Sequence, residues 1–288
     1  MPRPVCITYD STCDLTPQLL ERFQIRTVPL TIQSGERVFA DDGQYTSADL
    51  YADYRRNGTL PKTAAVSPEE FKSFFLPILE EGYDIVHIDI SSELSCTCQN
   101  AVLAAQELKD QGQIHVVDSR QLSTGGGLLA LQGAKLRDSG MDAADVAEEL
   151  RGLASCGDTS FVLDTLEYMW KGGRCSGVAA LGANVLKLKP CLEMREGKLV
   201  VCKKYRGAMG KVYRQYITER LAGKTVVEDH AFITHSGEVS EDTLRELTEL
   251  VRELAPFKEV FITQAGCTVS SHCGPGTLGV LFLRQPAQ

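Results

Sequence analysis

The opening MPRPVCITYDST has no apolar core of a secretory signal and no Arg- and Ser-rich transit pattern. A cytoplasmic location is the expectation. Positive charge is also short: 30 Lys and Arg stand against 38 Asp and Glu, a formal charge of -8. No electrostatic footprint for nucleic acid or an anionic membrane surface is present. The longest uncharged run, Val260 to Leu283, is interrupted by Gln264 and Gly274-Pro275-Gly276, so it reads as buried strand, loop and buried strand rather than a membrane span.

Catalytic and cofactor signatures are missing as well. Ten cysteines include no C-x-x-C pair or zinc spacing, and they read as reduced thiols acting as small core residues. The five histidines are scattered singly, with no H-E-x-x-H and no calcium loop, so no metal is expected. Gly223-Lys224-Thr225 has Thr218 where a phosphate loop needs its first glycine. Gly125-Gly126-Gly127 lacks the dinucleotide spacing and reads as a turn, or a helix start facing a small anion. No G-x-S-x-G elbow occurs. No cofactor is expected.

What is present is an ordinary globular balance, 43% apolar and 24% charged over 288 residues, enough for two domains. The first half alternates short β-branched runs (Val5 to Tyr9, Thr27 to Ile32, Asp84 to Ile90, Ile114 to Val117) with helical periodicity at Pro17 to Phe23, Ser95 to Lys109, Gly126 to Ser139 and Ala143 to Ala154. Capping boxes at Thr46-Ser47-Ala48-Asp49 and Ser67-Pro68-Glu69-Glu70 open two more helices. That order predicts an α/β fold with a parallel sheet flanked by helices.

Beyond residue 157 the pattern becomes mixed. A strand at Ser160 to Leu163, short helices at Leu166 to Lys171 and Gly177 to Leu186, and a hairpin of Cys191 to Met194 with Leu199 to Cys202 come first. Helices at Met209 to Leu221 and Glu241 to Leu254 then alternate with strands at Val226 to Ile233, Val260 to Thr263 and Leu278 to Leu283. The division is therefore 1–157 for a parallel α/β domain and 158–288 for a mixed one.

Polar segments follow several strands: Asp10-Ser11-Thr12, Ser91 to Ser95, and Asp118-Ser119. At the carboxyl ends of parallel strands they face one crevice, whose hydroxyls suit an acid better than a metal. Four residues supply the donors a buried carboxylate needs: Thr63, Ser95, Arg206 and His272. Ser92, Cys96, Ser119 and Gly276 are secondary pocket candidates. The competing possibility is a serine-type acyl hydrolase in which Ser95 attacks and His272 is the base.

Taken in order, Asp10-Ser11-Thr12-Cys13-Asp14-Leu15, Pro61-Lys62-Thr63, Ser91-Ser92-Glu93-Leu94-Ser95, Asp118-Ser119, Lys171-Gly172-Gly173-Arg174, Tyr205-Arg206-Gly207 and His272-Cys273-Gly274-Pro275-Gly276 resemble the DegV family of bacterial fatty-acid-binding proteins. The resemblance implies two α/β domains around a tunnel for a long-chain fatty acid, its carboxylate near the junction. It implies a non-catalytic subunit that presents the acid to a separate ATP-binding fatty acid kinase, giving acyl phosphate for phospholipid synthesis. Thr63 and Ser95 match the carboxylate-binding hydroxyls, Arg206 and His272 the basic pair, and Arg174 a kinase-docking position. Two departures stand out: Ala64-Ala65-Val66 in place of Ser-Gln-Pro, and Cys96 where glycine is usual.

Overall fold

A computed structural model describes residues 3–175 and 188–285. The short helix expected at Gly177 to Leu186 lies outside the described residues. Strand β1 (Val5–Asp10) is followed by helix α1 (Pro17–Phe23), β2 (Ile25–Val28), β3 (Thr31–Ser34) and β4 (Arg37–Ala40). The single strand expected over Thr27 to Ile32 is two strands, because Pro29 has no amide hydrogen to give a ladder. The chain turns there, and β2 and β3 enter different sheets.

Both expected capping boxes are formed. Thr46 and Asp49 exchange hydrogen bonds at the start of α2 (Ser47–Asn57). After β5 (Lys62–Ala64), Ser67 and Glu70 do the same for α3 (Pro68–Glu80). Then come β6 (Asp84–Asp89), α4 (Thr97–Glu107), β7 (Ile114–Asp118), α5 (Thr124–Asp138) and α6 (Ala143–Leu153). Strands β2-β1-β6-β7 form the predicted all-parallel sheet. Strands β4-β3-β5 form a small antiparallel sheet that the sequence did not announce.

The second sheet begins at β8 (Gly157–Val162). After α7 (Glu167–Gly172) come β9 (Leu188–Arg195), β10 (Lys198–Arg206), α8 (Met209–Leu221), β11 (Val226–His235), α9 (Glu241–Leu254), β12 (Glu259–Gln264), α10 (Cys267–Cys273) and β13 (Leu278–Arg284). Its order is β10-β9-β8-β13-β11-β12, and only the β11–β12 pair is parallel. The loop expected after β12 holds α10 instead.

The two sheets share one helix. Helix α5 packs on β1 and β6 on one side and on β8, β11 and β13 on the other. One apolar cluster accordingly joins Ile7, Tyr9 and Ile88 to Phe232, Leu281 and Leu283. Two of the three glycines at its start serve that packing. A Cβ at Gly125 would lie 1.9 Å from Thr159 Oγ1, and one at Gly126 1.8 Å from Tyr9 Oη. Only a helix stripped of side chains at both faces fits between two sheets so closely.

Candidate functional site

Where the sheets meet lies a cavity of about 470 Å³. Its floor is apolar: Ile90, Leu122, Met169, Leu199, Val269 and Cys273. Its rim is polar, with Thr63, Glu93, Ser95, Arg174, Thr268 and His272. A narrow void of about 20 Å³ bounded by Phe161 and Leu281 shares Leu122, Val269 and Cys273 with that floor. The apolar surface therefore continues inward toward the common core.

Each rim residue is placed by its own element. Thr63 sits in β5 opposite Ile32 of β3. Its hydroxyl lies 3.2 Å from Nε2 of His272 on α10. Among the described residues the buried His272 Nδ1 has no hydrogen-bond partner, and a Cβ at Gly172 would lie 2.2 Å from it. Burial, and then the Arg174 guanidinium, push the imidazole down to about 4. At neutral pH this histidine is an uncharged ring.

Ser95 lies in the turn before α4, where its Oγ accepts from the Thr97 amide at 3.2 Å and pairs with the Thr97 hydroxyl at 2.7 Å. That turn is anchored from β1: Asp10 Oδ2 accepts from the Ile90 amide at 2.8 Å.

Helix α10 is pinned by carboxylates from elsewhere in the chain. Asp41 accepts from the Cys267 and Thr268 amides at 2.8 and 3.1 Å, and Asp14 from the Gly266 amide at 2.8 Å. Asp14 also meets Ser123 at the start of α5. Burial raises the Asp14 carboxyl to about 8, although the bonds from Ser123 and Gly266 pull the other way. The folded chain thus binds a proton there that the unfolded chain releases near its ordinary 3.8. Stability from this group is fully present below that lower value and is lost as pH rises through about 8. In Asp14→Asn, thermal melts should lose this component of the decline between those limits; an unchanged pH profile would show that Asp14 is ionised throughout.

The structure brings Thr63, Ser95, Cys96 and His272 to one cavity. It does not bring Arg206 there. That residue is exposed at the end of β10, outside the cavity lining, because the strand runs past the pocket and leaves only Leu199 on its wall. Among the described lining residues the cation is Arg174, which the resemblance assigned to docking. Ser92 is exposed and bonds to Asp118 at 2.5 Å. Ser119 is buried, accepts from Tyr9 Oη at 3.2 Å and caps the Gln121 amide. Gly276 gives its carbonyl to Tyr213 at 2.6 Å. These three residues hold turns, as small polar groups after strands commonly do.

Among the described residues Ser95 and His272 do not pair with each other. Ser95 bonds to Thr97 and His272 to Thr63, and no described carboxylate bonds to the ring. Among the described residues no group of three or more His, Cys, Asp or Glu is placed to hold a metal, and no helix is long and apolar enough to cross a membrane. Sequence reasoning missed Arg174, Met169 and Thr268 as lining residues, and the pins Asp14 and Asp41. None carries a local signal of its role.

Fold and site together define an α/β protein of two sheets packed on a shared helix, with an internal cavity apolar at its floor and polar at its rim. A family model described as "Uncharacterised protein, DegV family" matches residues 4–285. The chain belongs to the DegV family. It is 30% identical over 284 residues to a DegV domain-containing protein of Deinococcus radiodurans, covering 96% of this chain and 97% of that one. It is 28% identical to a protein of Thermotoga maritima named "Fatty acid-binding protein", covering 96% of each. Among solved structures it is similar to a DegV family protein from Thermus thermophilus described for its fatty acid binding. That match has TM-score 0.87 and 30% identity, and covers 98% of this chain and 100% of that one.

Proposed function

We propose that this chain binds a long-chain fatty acid, its tail along Ile90, Met169, Leu199 and Val269 and its carboxylate at Thr63, Ser95, His272 and Arg174. The observation that carries the reading is the division of one cavity into an apolar floor and a rim of hydroxyls, imidazole and guanidinium, with the Glu93 carboxylate beside them. Its volume, about 470 Å³, lies within the range of small-molecule sites. Each buried methylene contributes about 0.8 kcal/mol, so a sixteen-carbon chain supplies roughly 10 kcal/mol before ordering costs. The tail supplies affinity and the rim supplies orientation. Arg174 favours the ionised head and offsets its desolvation.

The names of the Thermotoga and Thermus relatives support this reading. We extend it to a cytoplasmic, non-catalytic carrier whose parts 1–157 and 158–288 close on the lipid. The carrier presents the acid to an ATP-dependent fatty acid kinase. Arg174 lines the cavity yet is exposed, and Trp170 on α7 is 63% exposed, which supports a partner approaching at that mouth. There a carboxylate oxygen attacks the γ-phosphorus of ATP on the partner, and ADP leaves with the electrons of the broken bond.

Mass spectrometry of protein purified from a bacterial host and then denatured should release fatty acid in stoichiometric amount. In the lipid-stripped chain the His272 resonance should titrate near 4, and added oleate should raise that midpoint, because an anion beside the ring favours imidazolium. Protein that carries no lipid and takes up no oleate would sink the proposal. Uptake with an unmoved His272 midpoint would place the carboxylate elsewhere.

A further inference from the structure

The hairpin of β9 and β10 carries a pair of thiols that lipid binding does not use. The ladder pairs Val201 with Leu192 and Lys203 with Cys191, so Cys202 is the extra residue of a β-bulge. A bulge sets two consecutive residues against one on the facing strand. Here Cys202 and Lys203 both oppose Cys191. The Cys202 sulfur lies 3.4 Å from the Cys191 carbonyl oxygen. Facing positions on adjacent antiparallel strands have Cα separations of about 4.5 to 5.5 Å, within the span a disulfide bridges.

The two thiols differ in access. Cys202 is exposed, whereas Cys191 is 2% exposed beneath it. The neighbouring Cys191 thiol draws Cys202 below the ordinary thiol range, against the burial that opposes thiolate there. The Cys202 neighbour and burial push the Cys191 thiol up, so it stays protonated. The outer sulfur is thus the nucleophile and the inner one its neighbour in reserve.

We propose that Cys202 and Cys191 form a peroxide-sensitive modification site that closes to a reversible disulfide. The Cys202 thiolate attacks one oxygen of a hydroperoxide and the O–O bond breaks. For hydrogen peroxide this leaves Cys202 as a sulfenic acid and releases hydroxide, which is protonated to water. The Cys191 sulfur then attacks the Cys202 sulfur, and the expelled hydroxide leaves as water with the Cys191 proton. Two thiols lose two electrons in total, and the peroxide gains them. The bridge staples the hairpin whose Leu199 forms part of the cavity floor.

The test treats the folded full-length chain with hydrogen peroxide, blocks free thiols with N-ethylmaleimide and maps tryptic peptides by mass spectrometry. The expected product joins segments 188–195 and 199–203, lighter by two hydrogens, and dithiothreitol separates them. Cys191→Ala should leave Cys202 as a sulfenic acid that dimedone traps, and Cys202→Ser should leave Cys191 reduced. The proposal is overturned if Cys202 bridges to another cysteine, if it proceeds to sulfinic acid while Cys191 stays free, or if neither sulfur reacts.

Discussion

Val269→Trp should empty the cavity of lipid while leaving the fold in place. Val269 lines both the main cavity and the inner void, so an indole there closes the route an acyl tail would take toward the core. If about half of a sixteen-carbon tail is shut out, the loss is roughly 6 kcal/mol, a weakening on the order of ten-thousandfold. Copurified fatty acid should fall to trace amounts, and displacement of a fluorescent fatty acid should show the same loss. Val269→Ala removes bulk without blocking and should bind within a few-fold of the parent. Stoichiometric lipid in a well-folded Val269→Trp protein would mean that the tail runs elsewhere.

The second large effect is on the helix that carries His272. Asp41→Ala removes the acceptor of two backbone amides, Cys267 and Thr268, and of the Ser11 hydroxyl at 3.2 Å. All three donors lie in a region closed to solvent except part of Ser11. A hydrogen bond to a charged group contributes about 1.5 to 3 kcal/mol, and orphaned donors add their own cost. We expect a loss of roughly 3 to 5 kcal/mol, which lowers the melting temperature by about 6 to 15 °C for a chain of this size. Asp41→Asn keeps one acceptor oxygen and should lose about half as much. Because α10 also places Thr268 and Val269, the alanine variant should bind lipid more weakly even well below its melting point. Normal melting and normal binding together would show that the carboxylate does not hold the helix.

Much of this architecture was legible one segment at a time. Helices at Pro17–Phe23, Met209–Leu221 and Glu241–Leu254 begin and end where their periodicity says they should. Both capping boxes form, since the bonds that define them join residues three apart. The β4-β3-β5 sheet was not legible: its strands are three or four residues long, and pairing β3 with β5 requires a contact across some thirty positions. Helix α10 was hidden for a different reason. Its residues Cys267 to Cys273 are mostly buried, small or polar, so they show no contrast between an inner and an outer face.

The candidate site divides along the same line. Hydroxyl, imidazole and guanidinium types were visible as chemistry, and Thr63, Ser95 and His272 do share a rim. Arg206 and Arg174 could not be ranked from the chain, because both follow or precede glycine in similar basic surroundings. Three of the secondary candidates proved to hold turns, as the same residue types do throughout α/β proteins.

By itself, then, the sequence determined the α/β class, the order of most elements, the acidic charge balance, and the stock of groups able to grip an acid. These follow from period, capping and composition, which act over a few residues. Only the tertiary structure decided that α5 is shared by two sheets, that α10 hangs from Asp14 and Asp41, and that Arg174 rather than Arg206 reaches the rim. Those are contacts between segments far apart in the chain, selected by which packing buries the most apolar surface while pairing most of its polar groups, and no local pattern encodes that choice.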